Sequence, residues 1–546
     1  MMGQTPTMAA DGRAGSGAHA PRSKADRRML VDGKLVEAGR SRAADDIDSR
    51  SRAADDIDSR SRAADDIDSR SGAADDIDSR TFPSLNPATG EVLGYAPDAT
   101  AEDARAAIGA ARRAFDTTTW STDVEFRIHC LEQLHAALVE HRDELGALTI
   151  AEVGATPALL AGPQLDDPIR IVRFYADLLK TYPMTEDLGN VASRGQLHHR
   201  WVEKEAAGVV AAIIAYNYPN QLALAKLAPA LAAGCTVVLK GAPDTPLITL
   251  ALGELIAQHT DIPAGVVNVL SSADPAVGPV LTASPEVDVV TFTGSTPTGR
   301  AIMAAGSATV KRVFLELGGK SAMIMLDDAD IGSCAMMAAF TIVTHAGQGC
   351  ALTTRLLVPN ARKDEIVAQV AANLAHVRHG DPADPKTYMG PLISEQQRDK
   401  VHGIVQRAVA DGATLVTGGE KLDPGFFYAP TLLTDVDPDS EIAQEEIFGP
   451  VLVVIGYEDD DDAVRIANNS IYGLAGGVFG DEDRALAMAR RIRAGSLSIN
   501  GGNYFGAETP FGGYKQSGIG REMGVAGLEE FQEQKAYATV VPGEKA

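Results

Sequence analysis

Cysteine, aromatic residues and positive charge are all scarce in this 546-residue chain. Its 4 cysteines (Cys130, Cys235, Cys334 and Cys350) include no CxxC pair, so neither a disulfide framework nor a zinc site is indicated, and we expect no bound metal. Aromatic residues make up 5% of the chain, and an excess of acidic residues gives a net charge of -25. This charge argues against nucleic acid or a membrane surface as the main partner, and the free thiols favour a reducing, cytoplasmic setting.

Long apolar runs are also missing. No stretch of about 18 apolar residues occurs, so we expect no membrane-spanning segment. The N-terminal residues lack the apolar centre of a secretory signal. We predict that residues 1–28 form a disordered tail.

Residues 41–80 contain a tandem decapeptide, SRAADDIDSR three times followed by SGAADDIDSR. One Ile in each repeat cannot bury a core, so the repeat does not predict a solenoid. We interpret it as a surface loop inserted between two strand-like segments, 29–38 and 82–97, which a short hairpin connection would otherwise join. We expect the insertion to be neutral for catalysis.

From residue 207 onward, strand-like and helix-like segments alternate. Apolar strands such as AGVVAAIIAY, CTVVLK and VDVVTFT are each followed by a helical segment. This alternation predicts an α/β fold with a parallel, doubly wound sheet, and a second α/β region is expected from about 320 to 520. Ligands of such sheets bind at the carboxyl ends of the strands, so side chains just past those ends are the first candidates for a site.

Residues suited to chemistry stand at several strand ends, namely Asn217, Lys240, Gly294 and Glu316. Gly294 permits a sharp turn, and Ser295 offers a hydroxyl and an amide where a helix N-terminus favours phosphate. A lysine such as Lys240 can bind ribose hydroxyls or a phosphate. Taken singly, these residues also fit an ordinary β–α turn and a lysine that reaches solvent.

Cys350, which ends the string HAGQGC, is the candidate nucleophile, and it requires a lowered pKa or a nearby base. Glu316 runs into an apolar loop, where a raised pKa suits a general base; the alternative is a structural carboxylate bonded to loop amides. The amide of Asn217 can donate to a developing oxyanion. A Cys–His hydrolase that uses His345 is a further alternative, although the spacing gives no reason to expect a correctly placed imidazole.

Together these segments resemble the aldehyde dehydrogenase superfamily over roughly residues 82–540. The matching strings, in the family's order, are YNYP, VVLK, FTGST, LELGGKS, AGQGC, GDP…MGPLIS, EEIFGPV, YGLAGGVF and PFGGYKQSGIGRE. The resemblance implies that Cys350 attacks an aldehyde carbonyl, with the Asn217 amide and the Cys350 main-chain N–H as the oxyanion hole. It further implies hydride transfer to a nicotinamide, followed by thioester hydrolysis by water that Glu316 activates.

The resemblance also implies a dinucleotide site. In it, Lys240 binds the adenosine ribose, and Ser295, after Gly294, binds the pyrophosphate. Glu446 binds the nicotinamide ribose, with Phe448 beside it. Further positions expected along this groove are Tyr216, Pro243 and Leu317.

Two positions bear on the subclass. Glu316 favours release of a free acid, because coenzyme A-acylating members lack this carboxylate. A coenzyme A-acylating semialdehyde dehydrogenase and a non-catalytic scaffold of the same fold remain the alternatives. Pro243 stands where many NAD-preferring members have a Glu that binds the adenosine 2′-OH, so we expect NAD as cofactor and leave NADP open.

By this resemblance the chain has a Rossmann-like cofactor domain (29–184 and 208–316), an α/β catalytic domain (317–520) and a small β oligomerisation element (185–207 and 521–546). We expect a homodimer or homotetramer. Aromatic residues are expected to line an access tunnel that suits an uncharged aliphatic or aromatic aldehyde. These are Phe174, Tyr175, Tyr218, Tyr504 and Phe505, whereas Arg355 is expected to be structural.

Overall fold

The structure is a computed structural model that describes residues 26–39 and 80–545. In these ranges the larger of two central sheets has eight strands in the order β2-β1-β9-β8-β7-β10-β11-β21. They are β1 (Met29–Val31), β2 (Lys34–Val36), β7 (Val209–Ile213), β8 (Thr236–Lys240), β9 (Val267–Leu270), β10 (Val289–Thr293), β11 (Arg312–Glu316) and β21 (Gly518–Ile519).

The five middle strands of this sheet run parallel. The chain passes from β7 to β8 and β9 on one side, then returns to form β10 and β11 on the other. The strand order therefore reverses between β7 and β10, which is the position where doubly wound sheets bind ligands. The predicted α/β class with a doubly wound sheet agrees with this topology.

Helices cover the sheets. α1 begins at a capping box in which Thr100 and Asp103 accept each other's main-chain N–H, as the string TAED predicts. The helices are α1 (Ala101–Thr117), α2 (Val124–Glu140), α3 (Arg142–Val153), α4 (Pro157–Leu160), α5 (Asp166–Leu179), α6 (Pro219–Ala233), α7 (Pro246–His259), α8 (Val277–Ala283), α9 (Thr296–Gly306), α10 (Ile331–Val343), α11 (Lys363–Leu374), α12 (Glu395–Ala410), α13 (Glu441–Gln444), α14 (Asp460–Asn468), α15 (Glu482–Ala489) and α16 (Gly524–Glu529). None of these described helices is long and apolar enough to cross a bilayer.

The second large sheet has seven strands in the order β14-β17-β18-β13-β12-β19-β20. They are β12 (Ala322–Met325), β13 (Arg355–Pro359), β14 (Thr414–Thr417), β17 (Thr431–Thr434), β18 (Val451–Tyr457), β19 (Ala475–Phe479) and β20 (Ser496–Ile499). A separate apolar core of buried side chains surrounds it. The predicted second α/β region is therefore present, with its own sheet and core.

A small antiparallel sheet joins distant parts of the chain in the order β22-β6-β5. Its strands are β5 (Thr185–Ser193), β6 (Gln196–Ala206) and β22 (Gln532–Lys545). Two hairpins complete the strands, β3 (Thr81–Leu85) with β4 (Val92–Pro97), and β15 (Lys421–Leu422) with β16 (Phe427–Tyr428). The small sheet coincides with much of the predicted oligomerisation element.

Several expected boundaries differ from the structure. β21 pairs with β11 in the first sheet, although the catalytic domain was predicted to extend to residue 520. Met523, Leu528 and Phe531 lie in the first core, so this part of the predicted oligomerisation element packs with the cofactor domain. β11 and β12, which are consecutive in the sequence, belong to different sheets. Apolar patterning finds these strands but does not show which sheet each one joins.

The two segments that flank the repeat do not pair with each other. Met29–Val36 forms its own hairpin, β1 with β2, and residues 81–97 form another, β3 with β4. The expected hairpin between the segments is therefore wrong. The predicted tail also ends earlier than residue 28, because Arg27 pairs with Glu254 at 2.7 Å. The rest of the tail prediction (1–25) and most of the repeat (41–79) lie outside the described residues.

Glu152 on α3 fixes the start of α7. Its buried carboxylate accepts the Leu247 and Ile248 main-chain N–H groups, both at 2.8 Å, and the Ser84 hydroxyl at 2.7 Å. Burial raises the pKa of Glu152 to about 7. The N-terminus of α7 is thus already occupied by a protein carboxylate, so the chain itself satisfies these donors.

We predict that Glu152→Ala lowers the free energy of unfolding by about 2–4 kcal/mol, because three buried donors lose their acceptor. Denaturant unfolding followed by circular dichroism measures the change. Glu140→Gln, at an exposed position on α2, is the matched control and should change the midpoint little. Equal midpoints for the Glu152→Ala variant and the wild type would contradict this role.

Candidate active site

The loop 317–321 connects the two large sheets, since Glu316 ends β11 and β12 begins at Ala322. A Cβ placed on Gly319 would lie 2.3 Å from the Cys350 carbonyl oxygen, and one on Gly318 would lie 2.6 Å from a Glu446 carboxylate oxygen. Only glycine permits the approach at 319, where the close atom belongs to the main chain, and a side chain at 318 would displace the Glu446 carboxylate. The loop therefore brings Glu316, Cys350 and Glu446, predicted separately from sequence, into one site.

Gln348 fixes the loop that carries the nucleophile. This fully buried side chain donates to His345 O at 3.1 Å and to Pro391 O at 3.2 Å, and it accepts the Ile393 N–H at 2.9 Å. Two residues later, Cys350 is half-buried and packs against the first core. The position of the thiol is thus tied to a segment of the second domain.

The side-chain amide of Asn217 reaches the same loop. Its Nδ2 donates to Gln348 O at 2.9 Å, which leaves its second N–H free for another acceptor. Gln164 Nε2 donates to the main-chain oxygen of Asn217 at 2.8 Å and so stabilises the turn that carries Asn217. Asn217 is thereby fixed beside the loop of Cys350 with one donor to spare, which an oxyanion hole requires.

The thiol of Cys350 lies among carboxylates. Burial, and then the negative charges of Glu446 and Glu316, raise its pKa far above the ordinary value. Attack on a carbonyl therefore requires the thiol to lose its proton. Sequence analysis identified the nucleophile but not this electrostatic environment.

Glu316 is 2% exposed, and neither of its carboxylate oxygens has a hydrogen-bond partner among the described residues. Burial, and then the charge of Glu522, raise its pKa well above the usual range. The alternative of a carboxylate bonded to loop amides is therefore not what the structure contains. Both oxygens remain available to a water molecule, as a general base requires.

Two charged residues near Glu316 were not identified from sequence. Lys226 on α6 contacts the Glu522 carboxylate and donates to Thr293 Oγ1 at 2.8 Å, and both charged side chains are buried. Lys226 lowers the pKa of Glu316 and Glu522 raises it. The signal in the sequence is the single lysine in the otherwise apolar helix QLALAKLAPALAA.

Lys240 lies at the end of β8, buried at the predicted adenosine side of the groove. Its Nζ donates to Gly241 O at 3.2 Å and to Ser272 O at 3.3 Å. Burial lowers its pKa to about 8. Pro243 and Asp244 follow at exposed positions, so this part of the groove opens to solvent.

Tyr216 and Phe448 connect the two halves of the groove. Their rings meet edge to face with centroids 5.9 Å apart. Burial raises the pKa of Tyr216, and the charges of Asp244 and Glu446 raise it further. The structure thus brings Tyr216 and Phe448, two residues expected along the dinucleotide groove, into contact.

Glu446 is fixed by the loop between the sheets. Its Oε1 accepts the Gly319 N–H at 3.0 Å, and burial raises its pKa to about 7. The following Phe448 has a positive φ of 59°, and Gln397 Nε2 supports this turn by donating to Phe448 O at 2.9 Å. Gln397 is a further supporting residue that sequence analysis missed.

The turn after β10 leads into α9. Gly294 donates to Glu316 O at 3.0 Å, and a Cβ there would strike the Phe292 ring at 2.3 Å. Ser295 is exposed and caps α9. Leu317 is buried against Gly299, so its side chain packs beneath the helix. The N-terminus of α9 thus faces solvent at the reversal of strand order, as a phosphate site requires.

Aromatic residues flank the thiol on its other side. Burial, and then the charge of Cys350, raise the pKa of both Tyr218 and Tyr504. Phe505 continues from Tyr504 with ring centroids 4.7 Å apart, and it is 50% exposed. These three residues are the candidates for an aromatic path from the surface to the nucleophile.

Other expected residues lie elsewhere. The expectation that Tyr175 lines the tunnel is wrong, because it is fully buried and its hydroxyl donates to Gly524 O at 3.0 Å. Phe174, half-buried, packs against the Tyr175 ring. Arg355 is buried and donates to three main-chain carbonyls, so it has a structural position.

His345 contacts the Tyr218 ring, with centroids 5.1 Å apart, and is 2% exposed. Burial lowers its pKa to about 4. Neither of its ring nitrogens has a hydrogen-bond partner among the described residues, so the Cys–His alternative gains no support. Within residues 26–39 and 80–545, no group of three or more His, Cys, Asp or Glu residues could hold a metal ion.

Comparison with known proteins identifies the family. The profile of the Aldehyde dehydrogenase family matches residues 75–537. The chain belongs to this family. A 3-succinoylsemialdehyde-pyridine dehydrogenase of a Pseudomonas species is 41% identical over 461 residues, which are 83% of this chain and 94% of the relative. A mitochondrial benzaldehyde dehydrogenase of Antirrhinum majus is 37% identical over 466 residues, 84% of this chain and 86% of the relative.

Solved structures agree. The betaine aldehyde dehydrogenase of Staphylococcus aureus in complex with NAD+ superposes with a TM-score of 0.84 at 34% identity, covering 95% of each chain. An NAD+ complex of an aldehyde dehydrogenase from Bacillus cereus gives a TM-score of 0.84 at 33% identity, covering 94% of this chain and 96% of that one. The predicted family, fold class and reaction class, NAD(P)-dependent aldehyde oxidation, are confirmed.

We predict that Gln348→Ala lowers kcat roughly 10- to 100-fold, because the thiol loop loses three hydrogen bonds and small displacements of a nucleophile are costly. Steady-state NADH formation, monitored at saturating aldehyde and cofactor, measures the effect. Gln133→Ala on α2, outside the described site, is the control and should leave kcat unchanged. A wild-type kcat in the Gln348→Ala variant would contradict the anchoring role.

Proposed function

We propose that the chain oxidises an uncharged aromatic or aliphatic aldehyde to the free carboxylic acid with NAD+, as a homo-oligomer. One observation supports this proposal most strongly. The Cys350 thiol, the second amide hydrogen of Asn217 and the unpartnered Glu316 carboxyl come together beside the reversal of strand order. Three roles thus meet at one position, those of nucleophile, oxyanion donor and base.

In the first step, the Cys350 sulfur attacks the aldehyde carbon and forms a thiohemiacetal. The Asn217 Nδ2–H and the Cys350 main-chain N–H stabilise the oxyanion. The thiol must lose its proton for this attack.

In the last step, Glu316 takes a proton from a water molecule that attacks the thioester carbon, and the acid leaves while sulfur is restored. This step favours hydrolysis over transfer to coenzyme A, because a carboxylate stands where an acylating enzyme has none. The buried Lys226–Glu522 pair beside Glu316 modulates its charge. The scaffold alternative loses support because every catalytic group is present.

The groove fits a dinucleotide in the chemistry of its donors. Lys240 offers an N–H at the adenosine end, Glu446 an acceptor at the nicotinamide ribose, and the exposed N-terminus of α9 a site for phosphate. When bound, NAD+ accepts the hydride from the carbon attached to sulfur. We favour NAD+ over NADP+ because the groove contains Asp244 and because solved relatives bind NAD+.

Support for the substrate class comes from the aromatic path of Tyr218, Tyr504 and Phe505. Flat apolar rings favour an uncharged aromatic or aliphatic group over a phosphorylated one. Two relatives are named for aldehydes that carry an aromatic ring, a pyridine derivative and benzaldehyde. We therefore place aromatic aldehydes first.

Support for a homodimer or homotetramer comes from the small sheet. β5 and β22 are its edges, and Leu188, Val191 and Val540 are exposed there. Unpaired edges with apolar residues favour association. A reducing, cytoplasmic setting suits an enzyme whose nucleophile is a free thiol.

We predict that Glu316→Gln retains a burst of about one NADH per active site but lowers the steady rate by at least about 100-fold, because thioester hydrolysis loses its base. Stopped-flow absorbance measures both phases. Cys350→Ala is the control and should remove burst and turnover together. Equal losses of burst and steady rate in the Glu316→Gln variant would contradict the proposed base.

A panel of aldehydes, each assayed with NAD+ and NADP+, tests the proposed substrate. We expect kcat/KM for benzaldehyde-type substrates to exceed that for phosphorylated aldehydes by about 100-fold or more, since phosphate would lose hydration among the rings. We also expect NAD+ to be preferred. Turnover that depends on added coenzyme A would instead support the acylating alternative.

A further inference from the structure

Asp98 lies between β4 and α1, near the adenosine end of the groove, and no role has been assigned to it above. Its Oδ1 accepts the Ser272 hydroxyl at 2.8 Å and the Ala273 N–H at 3.0 Å. Its Oδ2 pairs with Arg80 at 3.0 Å. Asp98 therefore anchors the loop that follows β9 by two hydrogen bonds.

This loop binds Lys240. The Ser272 carbonyl oxygen accepts one N–H of the Lys240 ammonium at 3.3 Å, and Gly241 O accepts another at 3.2 Å. Asp98 also acts on the lysine through its charge. Burial lowers the Lys240 pKa to about 8, and the Asp98 carboxylate opposes this shift.

The number of hydrogens on Nζ makes this charge important. An ammonium has three donors, and the carbonyls of Gly241 and Ser272 use two of them. The third remains for a ribose hydroxyl. A neutral amine has only two N–H groups, both already used, so deprotonation leaves the ribose without a donor from Lys240.

We propose that Asp98 is a positioning residue for the cofactor: through Ser272 and through its charge, it keeps Lys240 an ammonium with one N–H free for the adenosine ribose. This inference rests on the proposed function, because it assumes that Lys240 binds the cofactor. Asp98 itself need not touch the cofactor. Its effect should be on cofactor affinity rather than on the chemistry at Cys350.

The other charged groups nearby have different positions. Arg80 lies behind Asp98, is 48% exposed and also approaches Asp274 at 3.7 Å, so its charge is well solvated. Asp274 accepts the Ala276 N–H ahead of α8. Asp244 lies exposed at the mouth of the groove, on the side of Tyr216. Among these groups, Asp98 is the one whose charge acts on Lys240.

The test is calorimetric titration of the full-length protein with NAD+, and with 5′-AMP as a probe confined to the adenosine half, from pH 6.5 to 9. For Asp98→Asn we expect binding about tenfold weaker at pH 8 and a smaller loss at pH 6.5. The pH at which affinity declines should move lower, because the Lys240 pKa falls further without the carboxylate. kcat at saturating NAD+ should change less than twofold.

Three further variants complete the design. Asp274→Asn, the matched control, should bind both probes like the wild type. Ser272→Ala retains the carboxylate and should weaken binding without moving the pH profile. In a Lys240→Met background, Asp98→Asn should cause no additional loss, because its effect acts through the lysine. Thermal unfolding of each variant confirms that it is folded.

The inference alone would be overturned if Asp98→Asn left the pH profile of binding unchanged. It would also be overturned if Asp98→Asn weakened binding in the Lys240→Met background as much as it does in the wild type. Wild-type affinity in Lys240→Met would overturn the proposed cofactor site, and the inference with it. The two failures are therefore distinguishable.

Discussion

The site depends on how closely two backbones approach at the loop between the sheets. A Cβ on Gly319 would lie 2.3 Å from the Cys350 carbonyl oxygen, which excludes it, and a Cβ on Gly318 would displace the Glu446 carboxylate. The same loop begins at Glu316, so the base, the nucleophile and the ribose ligand are positioned by five residues of chain. A side chain at position 319 would push the Cys350 main chain away from this loop.

Within this site, buried charged groups have fewer hydrogen-bond partners than such groups usually have in proteins. Glu446 has its pKa raised to about 7, while burial lowers the pKa of Lys320, in the same loop, to about 7. The Lys320 ammonium and both Glu316 oxygens have no hydrogen-bond partner among the described residues. Buried polar groups without partners lower the stability of the fold. A ligand that forms hydrogen bonds with them regains part of this lost free energy.

The sequence predicted the residues that carry the chemistry but not the residues that hold them in position. Asn217, Lys240, Gly294 and Glu316 were found because strand ends of a parallel sheet share one edge. Gln164 and Gln348 could not be found in this way, since their importance depends on main-chain carbonyls that are distant in sequence. Adjacent aromatics such as Phe174 and Tyr175 look alike in sequence, yet the helix directs them differently. The assignment of β21 to the first sheet likewise required the fold.

The connection between β2 and β3 has a consequence of its own. Each flanking segment is closed by its own hairpin, and each end is fastened separately: Gly39 N donates to Asp103 at 3.3 Å, and Arg80 pairs with Asp98. The strand register of each hairpin is therefore set by its own residues and not by the residues that connect the two hairpins. The chain can therefore change length here without shifting a strand, which makes the connection a suitable place to splice in a reporter domain or an affinity handle.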